Sequence, residues 1–328
     1  MAFEPRFTIN ARILDNLIGI NGSVIKMGQM KGGTVLPMLR RANRLKSLHS
    51  SLAIEGNTLS LDDVSAIIDG KRVIGPKDEI TEVRNAYSAY EGMDSFDPFD
   101  RDSLLKAHAL MMDGLMEKAG SFRTGTEGVF DSDGNLVYLA PPPDMVPELV
   151  DDLLGWTNDS DYPMIVRSCI FHYQFEYIHP FEDGNGRVGR LWQTLLLSKY
   201  DESFKWIPVE SIIRMHQKEY YHAIEQSNLS CDCTVFLEFM TGAILEALEG
   251  FEGSVVGEQV GRNVRLLHNE TVLYAMIRDG YFGDIRQAAK QMDVSRATVN
   301  RCLASLKEKG LIRKEGNRKS GIWVAVRP

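Results

Sequence analysis

The feature that most constrains the fold is a glycine-rich stretch at residues 179–190, enclosed by two apolar segments. It reads HPFEDGNGRVGR. The sixteen residues before it, 163–178, are largely apolar and predict a buried helix. After it, Leu191, Leu195 and Leu196 recur at helical spacing. The sequence therefore predicts two buried helices joined by a loop that carries a histidine, carboxylates and arginines.

This loop has the composition of a phosphate site. Backbone N–H groups at a helix start bind anions, and glycine lets the backbone approach them closely. Arg187 and Arg190 add forked donors that suit phosphate oxygens. An imidazole with an ordinary pKa of ~6.5 makes His179 available as a neutral base. The Gly-x4-Gly-Lys-Ser/Thr pattern is absent, and no strand precedes the glycines, which excludes the two common nucleotide-binding loops.

The same stretch resembles the signature of the Fic (AMPylator) family, His-Pro-Phe-x-Asp/Glu-Gly-Asn-Gly-Arg-x-x-Arg, at every fixed position. The resemblance implies an enzyme that transfers AMP from ATP to a Ser, Thr or Tyr hydroxyl of a target protein and releases pyrophosphate. In that case His179 would take the proton of the hydroxyl, and Asp183 would hold Mg²⁺ or Mn²⁺ on the α- and β-phosphates. The resemblance assigns the anion hole to Gly184, Asn185 and Gly186, and the outer phosphates to Arg187 and Arg190.

A second segment, SLAIEGN at residues 51–57, resembles the inhibitory motif of this family, Ser/Thr-x-x-x-Glu-Gly/Asn. Residues 37–54 before it predict an amphipathic helix that ends with Gly56 at a left-handed position. Glu55 would then lie at the negative end of the helix dipole, which is unfavourable without a cation. The resemblance implies that Ser51, Glu55 and Gly56 form the inhibitory motif. Arg190 is the candidate cation, and its pairing with Glu55 would misalign bound ATP. An ordinary glutamate before a helix-ending glycine is the alternative.

Two further segments resemble parts of the family's pocket. The Tyr-Tyr pair at 220–221 resembles a helix whose second tyrosine and following asparagine surround the adenine, which points to Tyr221 and Asn228. A core role is the alternative. Residues 124–130 and 136–140 are β-prone around a turn-rich link and predict a hairpin. In placement it resembles the family's flap, which would dock a target peptide as an extra strand. The flap residues would be Glu127, Gly128, Val129 and Phe130, and a surface hairpin without this role is the alternative.

The C-terminal part differs in charge from the rest. Residues 270–328 hold 12 Lys/Arg and 6 Asp/Glu, a net of +6, in a chain whose net charge is −8. This asymmetry predicts a separate module with its own partner, joined by a glycine-rich linker at 250–261. Helices at 271–279, 285–292 and 296–310, then strands at 311–316 and 320–326, resemble a winged helix-turn-helix. A DNA-binding recognition helix would present Arg296, Thr298, Asn300 and Arg301, and contact with protein or a second copy is the alternative.

The predicted fold class is therefore mainly α, in three parts. A helical segment (1–95) carries the inhibitory helix, a Fic helical core (96–250) carries the β-hairpin flap, and a winged helix-turn-helix (262–328) follows. The four cysteines form no disulfide or zinc framework. Without a recognisable signal peptide or membrane-length apolar run, we expect a cytoplasmic protein and no membrane partner. The alternative function is a nucleotide-sensing, DNA-binding transcriptional regulator. The presence of His179 and Asp183 favours the enzyme, since a sensor needs no base.

Overall fold

The computed structural model describes residues 3–29, 35–130, 136–260, 267–278, 282–292, 294–315 and 322–326. Over these residues helices dominate and strands are few, which confirms the mainly α class. The chain divides into two compact units, Met1–Leu248 and Glu249–Pro328.

The first unit is a bundle of helices with one hairpin. Its helices are α1 (Ala11–Gln29), α2 (Val35–Ile54), α3 (Leu61–Ile68), α4 (Lys77–Glu91), α5 (Arg101–Met111), α6 (Val146–Asp159), α7 (Met164–Ile178), α8 (Asn185–Tyr200), α9 (Val209–Met215), α10 (Gln217–Ser230) and most of α11 (Thr234–Val260). Strands β1 (Gly128–Phe130) and β2 (Leu136–Leu139) pair antiparallel, with Gly128 opposite Leu139. This pairing confirms the predicted hairpin, whose expected turn at 131–135 lies outside the described residues.

Helices α7 and α8 are buried on nearly all sides, as the apolar runs predict. Phe171 and Phe175 of α7, with Leu191 and Trp192 of α8, lie in one core cluster. The Trp192 Nε1 donates a hydrogen bond to the Pro98 carbonyl at 3.0 Å, which satisfies the indole in the core. Both ends of the loop between α7 and α8 are consequently attached to buried helices.

Helix α2 ends as its sequence predicts. The φ of Gly56 is +94°, and its N–H donates to the Ala53 carbonyl at 3.2 Å. The Asn57 N–H donates to the Leu52 carbonyl at 3.1 Å. These two bonds form a Schellman motif, which requires a left-handed residue and so favours glycine at position 56. Leu48 and Leu52 join the core cluster of α7 and α8, so this end of α2 is fixed.

The second unit has a small core of its own. It contains α12 (His268–Arg278), α13 (Ile285–Gln291), α14 (Arg296–Glu308) and the antiparallel strands β3 (Ile312–Glu315) and β4 (Ile322–Ala325). Ser295 accepts a hydrogen bond from the Thr298 N–H at 3.1 Å and caps α14. The predicted order of three helices and two strands is confirmed, and the assignment of a winged helix stays a prediction.

The glycine-rich segment expected to be a linker, 250–261, begins next to the boundary between the two units, and it is helical as far as Val260. Helix α11 continues to Val260, through Gly250 and Gly253. Single glycines spaced among helix-forming residues weaken a helix by about 1 kcal/mol each without ending it. None of the helices in the described ranges combines the length and apolar character that crossing a membrane requires.

Candidate active site

The loop after α7 begins at His179, which has an unusual backbone. Its φ is +49° and its ψ is +61°, a left-handed conformation that is rare outside glycine. Its N–H still donates to the Phe175 carbonyl at 2.9 Å, so His179 closes the helix. Pro180 follows and cannot continue the helical hydrogen bonding. The imidazole is therefore carried at the very end of a buried helix.

The middle of the loop is closed by Asn185. Its side-chain Nδ2 donates to the Phe181 carbonyl at 2.8 Å, and its Oδ1 accepts from the Phe181 N–H at 2.9 Å. The sequence predicted Asn185 as part of the anion hole, and the structure shows that its amide is already engaged with the loop backbone. Only its backbone N–H, at the start of α8, points to an anion-binding contribution.

His108 of α5 also contacts this loop, at Phe181 and Asp183, and the sequence did not predict a role for it. Its ring stacks on Phe181 with centroids 3.7 Å apart. Its Nδ1 accepts from the Gly120 N–H at 2.8 Å, so the proton is on Nε2, which lies 3.0 Å from the Asp183 carbonyl oxygen. Burial lowers the pKa of His108, which favours this neutral form.

Two glycines allow close packing at the start of α8. Gly184 has a φ of +84°, and a Cβ there would lie 2.7 Å from the Met112 sulfur. A Cβ at Gly186 would collide with the Glu55 carboxylate. The first turn of α8 therefore faces a carboxylate oxygen at the position where its N–H groups and dipole favour negative charge.

Asp183 and Arg187 pair one turn apart at this helix start. The Arg187 Nη2 donates to both carboxylate oxygens of Asp183, at 3.0 and 3.1 Å, and its Nη1 donates to Glu82 at 3.0 Å. The Asp183 side chain is 65% exposed, whereas that of Arg187 is 4% exposed. The exposed carboxylate of Asp183 is therefore held in place by a buried guanidinium.

Arg190 is bound to residues 51–55, which the sequence predicts to be inhibitory, through three hydrogen bonds. Its Nε donates to the Ser51 hydroxyl at 3.0 Å, and its Nη2 donates to the Ser51 carbonyl at 2.9 Å and to Glu55 Oε1 at 2.8 Å. The side chain of Arg190 is 1% exposed and that of Glu55 is 32% exposed. Burial alone would lower the pKa of Arg190, but the charge of Glu55 raises it above its ordinary value. The two groups predicted to pair do so.

Two neighbouring groups have shifted pKa values. Burial lowers the pKa of His179, against the opposing effect of the nearby Glu176 carbonyl, so the imidazole is neutral at cellular pH. Burial raises the pKa of the Glu176 carboxyl to about 8 against the opposing charge of Arg190, and the charge of Glu55 adds to the rise. The shift favours the protonated form of Glu176, whereas Glu55 Oε1 lies 2.8 Å from the Arg190 Nη2 and is its ion-pair partner.

A buried carboxylate, Glu210, anchors helix α2. Its Oε2 accepts from the Ser47 hydroxyl at 2.7 Å, and its Oε1 accepts from the Tyr90 hydroxyl at 2.8 Å and the Thr194 hydroxyl at 3.2 Å. Only 1% of Glu210 is exposed. These bonds tie α2 to α4 and α8, and no local sequence pattern predicts them.

The predicted adenine residues lie on α10. Tyr221 is 48% exposed, and its pKa is raised first by partial burial and next by the charge of Glu55. Asn228 accepts a hydrogen bond from the Tyr173 hydroxyl at 2.9 Å. Gln217, on the same helix, donates to the Ile54 carbonyl at the end of α2 at 3.2 Å. The structure thus places Tyr221 beside the Glu55 segment, while Asn228 is bound to α7.

At the hairpin, the Ala140 N–H donates to the Glu127 carbonyl at 3.0 Å, next to the pair formed by Gly128 and Leu139. Val129 is paired with Tyr138, and Phe130 with Leu136 across an irregular register. The Tyr138 ring lies 4.7 Å from that of Tyr177, on the last turn of α7. The hairpin therefore lies beside the end of the helix that carries His179.

In the second unit, Arg296, Asn300 and Arg301 are exposed on α14, and Thr298 is half-buried. The Thr298 hydroxyl is 3.3 Å from the Arg301 Nη2, which donates to it. Exposure of two arginines and an amide on one helix is compatible with contact to nucleic acid or to protein.

Comparison with known proteins finds Fic proteins by both sequence and structure. A model of the Fic/DOC family matches residues 98–197. A crystal structure of a Fic family protein from Desulfovibrio desulfuricans G20 is 35% identical, covers 99% of this chain and 99% of that chain, and has a TM-score of 0.72. A structure of Fic-1 from C. elegans has a TM-score of 0.65 over 76% of this chain and 74% of that chain, at 24% identity.

Among curated proteins, the protein adenylyltransferase fic-1 of Caenorhabditis briggsae is 28% identical over 247 residues. The match includes 70% of this chain and 45% of that protein. The protein adenylyltransferase Fic of Nematostella vectensis is 27% identical over 259 residues, 72% of this chain and 56% of that protein. The chain spans about half the length of these curated relatives.

Proposed function

Since this chain belongs to the Fic family, we propose that it is a protein adenylyltransferase that moves AMP from ATP to a Ser, Thr or Tyr hydroxyl of a target protein. The observation that carries the proposal is the loop between α7 and α8. It presents a neutral histidine and an exposed carboxylate beside a helix start lined by arginines, and both of its ends are fixed. These are a base, a metal ligand and an anion cradle within twelve residues.

In the proposed reaction His179 accepts the proton of the target hydroxyl. The hydroxyl oxygen bonds to the α-phosphorus, the bond from that phosphorus to the bridging oxygen breaks, and pyrophosphate leaves. Negative charge on the phosphates is stabilised by the N–H groups of Gly184, Asn185 and Gly186 and by Arg187. The burial that lowers the pKa of His179 favours the protonation state that a base requires.

Asp183 would hold a divalent cation, Mg²⁺ or Mn²⁺. Its carboxylate is the hard oxygen donor that these ions prefer, and it is 65% exposed. Within the described ranges no group of three or more His, Cys, Asp or Glu could bind an ion by itself. The phosphates of ATP would therefore supply further oxygens, and the ion, when bound, neutralises their charge.

Autoinhibition is proposed to come from Glu55. Its carboxylate lies against Gly186 at the start of α8 and pairs with Arg190, so it competes with a phosphate for both. The anchoring of α2 through Glu210 supports this role, because it fixes where Glu55 points. We also propose that Glu55 governs removal of AMP from the modified target.

Tyr221 and Asn228 would surround the adenine of ATP. Glu127, Gly128, Val129 and Phe130 would dock the target strand.

For the second unit we propose a winged helix that binds DNA through α14. Exposed Arg296, Asn300 and Arg301, together with the net charge of +6 over residues 270–328, support it. Contact with a second copy of the chain is the alternative use of this surface.

The alternative function for the whole chain is a nucleotide-sensing transcriptional regulator. The proposed location is the cytoplasm, where ATP is supplied.

The test is covalent labelling with ATP in a cell lysate. We expect the Glu55→Gly variant to attach label from α-³²P-ATP to protein above the level that the lysate gives alone, and to attach none from γ-³²P-ATP above that level. The double variant Glu55→Gly/His179→Ala is the matched control and should give no label above the lysate background. A gain of γ-label over that background would indicate a kinase, and absence of any gain of α-label from every form would favour the regulator.

A further inference from the structure

We infer that Arg123 is a positioning residue that holds the backbone of His179 and the base of the hairpin through one guanidinium, and so couples target docking to the base. The roles given to His179 and the hairpin rest on the proposed function. The contacts of Arg123 do not depend on it.

One side of the guanidinium binds the end of α7. The Arg123 Nε donates to the His179 carbonyl at 2.7 Å, and its Nη2 donates to the Ile178 carbonyl at 3.2 Å. Carbonyl groups at a helix end have no partner within the helix, and a cation there is also favoured by the helix dipole. Arg123 therefore caps α7 from a distant segment.

The other side of the guanidinium joins the two ends of the hairpin. The Nη1 donates to the Gly125 carbonyl at 2.9 Å, before β1, and the Nη2 donates to the Pro141 carbonyl at 2.6 Å, after β2. The backbone N–H of Arg123 donates to the Pro180 carbonyl at 2.9 Å. A shift at either end of the hairpin would consequently change the hydrogen bonding of residues 178–180.

The backbone of His179 explains why such a clamp matters. A left-handed conformation costs energy in a residue other than glycine and persists only where the surroundings fix it. The carbonyl of His179 is fixed by Arg123, whose residue exposure is 2%. Loss of the clamp would let His179 relax and turn its imidazole away from the reacting hydroxyl.

The experiment compares Arg123→Met with Arg123→Lys, which keeps the positive charge but lacks the several N–H donors of a guanidinium. The matched control is Arg167→Met. Arg167 donates to the Thr157 and Asn158 carbonyls at 2.8 and 2.9 Å near the other end of α7. Amide hydrogen exchange is measured on the hairpin and on His179 and Phe181, in the full chain. The kcat of transfer and the Kd of ATP are measured in the Glu55→Gly background.

We expect Arg123→Met to accelerate exchange at least about tenfold in the hairpin and in the loop together. We expect kcat to fall roughly 10- to 100-fold while the Kd of ATP changes little, because a displaced base affects chemistry more than nucleotide binding. Arg123→Lys should recover part of both effects, and Arg167→Met should show neither.

Acceleration in only one of the two segments, in neither, or equally in Arg167→Met would overturn the coupling. The hydrogen-exchange result and the AMP-transfer result test different claims and can fail separately. If the Glu55→Gly parent transfers no AMP, the proposed function is wrong, and the exchange data still decide whether Arg123 couples the hairpin to the loop.

Discussion

Replacing Glu55 by glycine tests autoinhibition most directly, because it removes one carboxylate from a buried guanidinium. The Arg190 Nη2 lies 2.8 Å from Glu55 Oε1. Two unit charges about 4 Å apart attract by about 4 kcal/mol at an effective dielectric constant near 20. Glu55 is 32% exposed, so solvent screening reduces this value. A charge-assisted hydrogen bond worth about 1.5–3 kcal/mol is the better figure.

A γ-phosphate must displace that bond to reach Arg190. The Glu55→Gly variant should therefore transfer AMP roughly 10- to 100-fold faster than wild type, since about 1.4 kcal/mol corresponds to a factor of ten. The assay is the initial rate of incorporation of α-labelled AMP at saturating ATP. Arg190→Ala in the same background should be inactive, because the freed partner is then missing.

The matched control is Glu91→Gly. Glu91 lies 3.7 Å from the buried guanidinium of Arg44, so it also pairs a partly exposed acid with a buried arginine, away from the signature loop. Its removal should leave the rate unchanged. ATP with Mg²⁺ should also raise the Tm of Glu55→Gly more than that of wild type, because it restores a partner to Arg190. Equal rates for wild type and Glu55→Gly would refute the inhibitory role.

Further predictions concern the base, the metal and the second unit. His179→Ala should lower kcat ~10²–10⁴-fold with little change in the Kd of ATP, measured by calorimetry; normal transfer would exclude this base. Because burial lowers the pKa of His179 and the base must be neutral, kcat of the active form should persist down to about pH 6.5 and fall only below it, and an acid limb above that pH would contradict the assignment. Asp183→Asn should make the Kd of ATP independent of Mg²⁺, and an unchanged metal dependence would place the ion elsewhere. DNA binding, measured by anisotropy, should weaken steeply with salt, and Arg296→Ala and Arg301→Ala should each reduce the slope of log affinity against log salt by about one if they contact phosphate; no binding at low salt would favour protein contact.

The parts of this molecule that could be predicted are those in which the chemistry is local in sequence. The helix, loop and helix around residues 179–190 follow from apolar spacing and glycines, and the end of α2 follows from Gly56. Arg123 and His108 could not be assigned in this way. They bind backbone carbonyls 56 and 75 residues away, and side-chain patterns do not specify which carbonyl will be near.

The linker shows a different limit. The glycines at 250–261 predict a connection between two parts of the chain, but they do not predict its conformation, and α11 continues to Val260. Asn185 shows a third limit. Its place in the motif predicted a role in anion binding, whereas the fold uses its amide to close the loop on Phe181. A motif identifies residues that belong together without specifying which of their atoms remain available.

The anchoring of α2 by Glu210 has a consequence for how quickly the proposed inhibition responds. Since the helix is tied to the core at Ser47 and capped at Gly56, breaking the ion pair between Arg190 and Glu55 requires only a rotation of the Glu55 side chain, while the two hydrogen bonds from Arg190 to Ser51 can stay in place. Rotamer changes in accessible side chains take picoseconds to nanoseconds, far less than a catalytic turnover. The inhibited and released forms would then equilibrate within each binding event. Activity would be set by their population ratio, and it would respond in a graded way to the concentration of any ligand that prefers the released form.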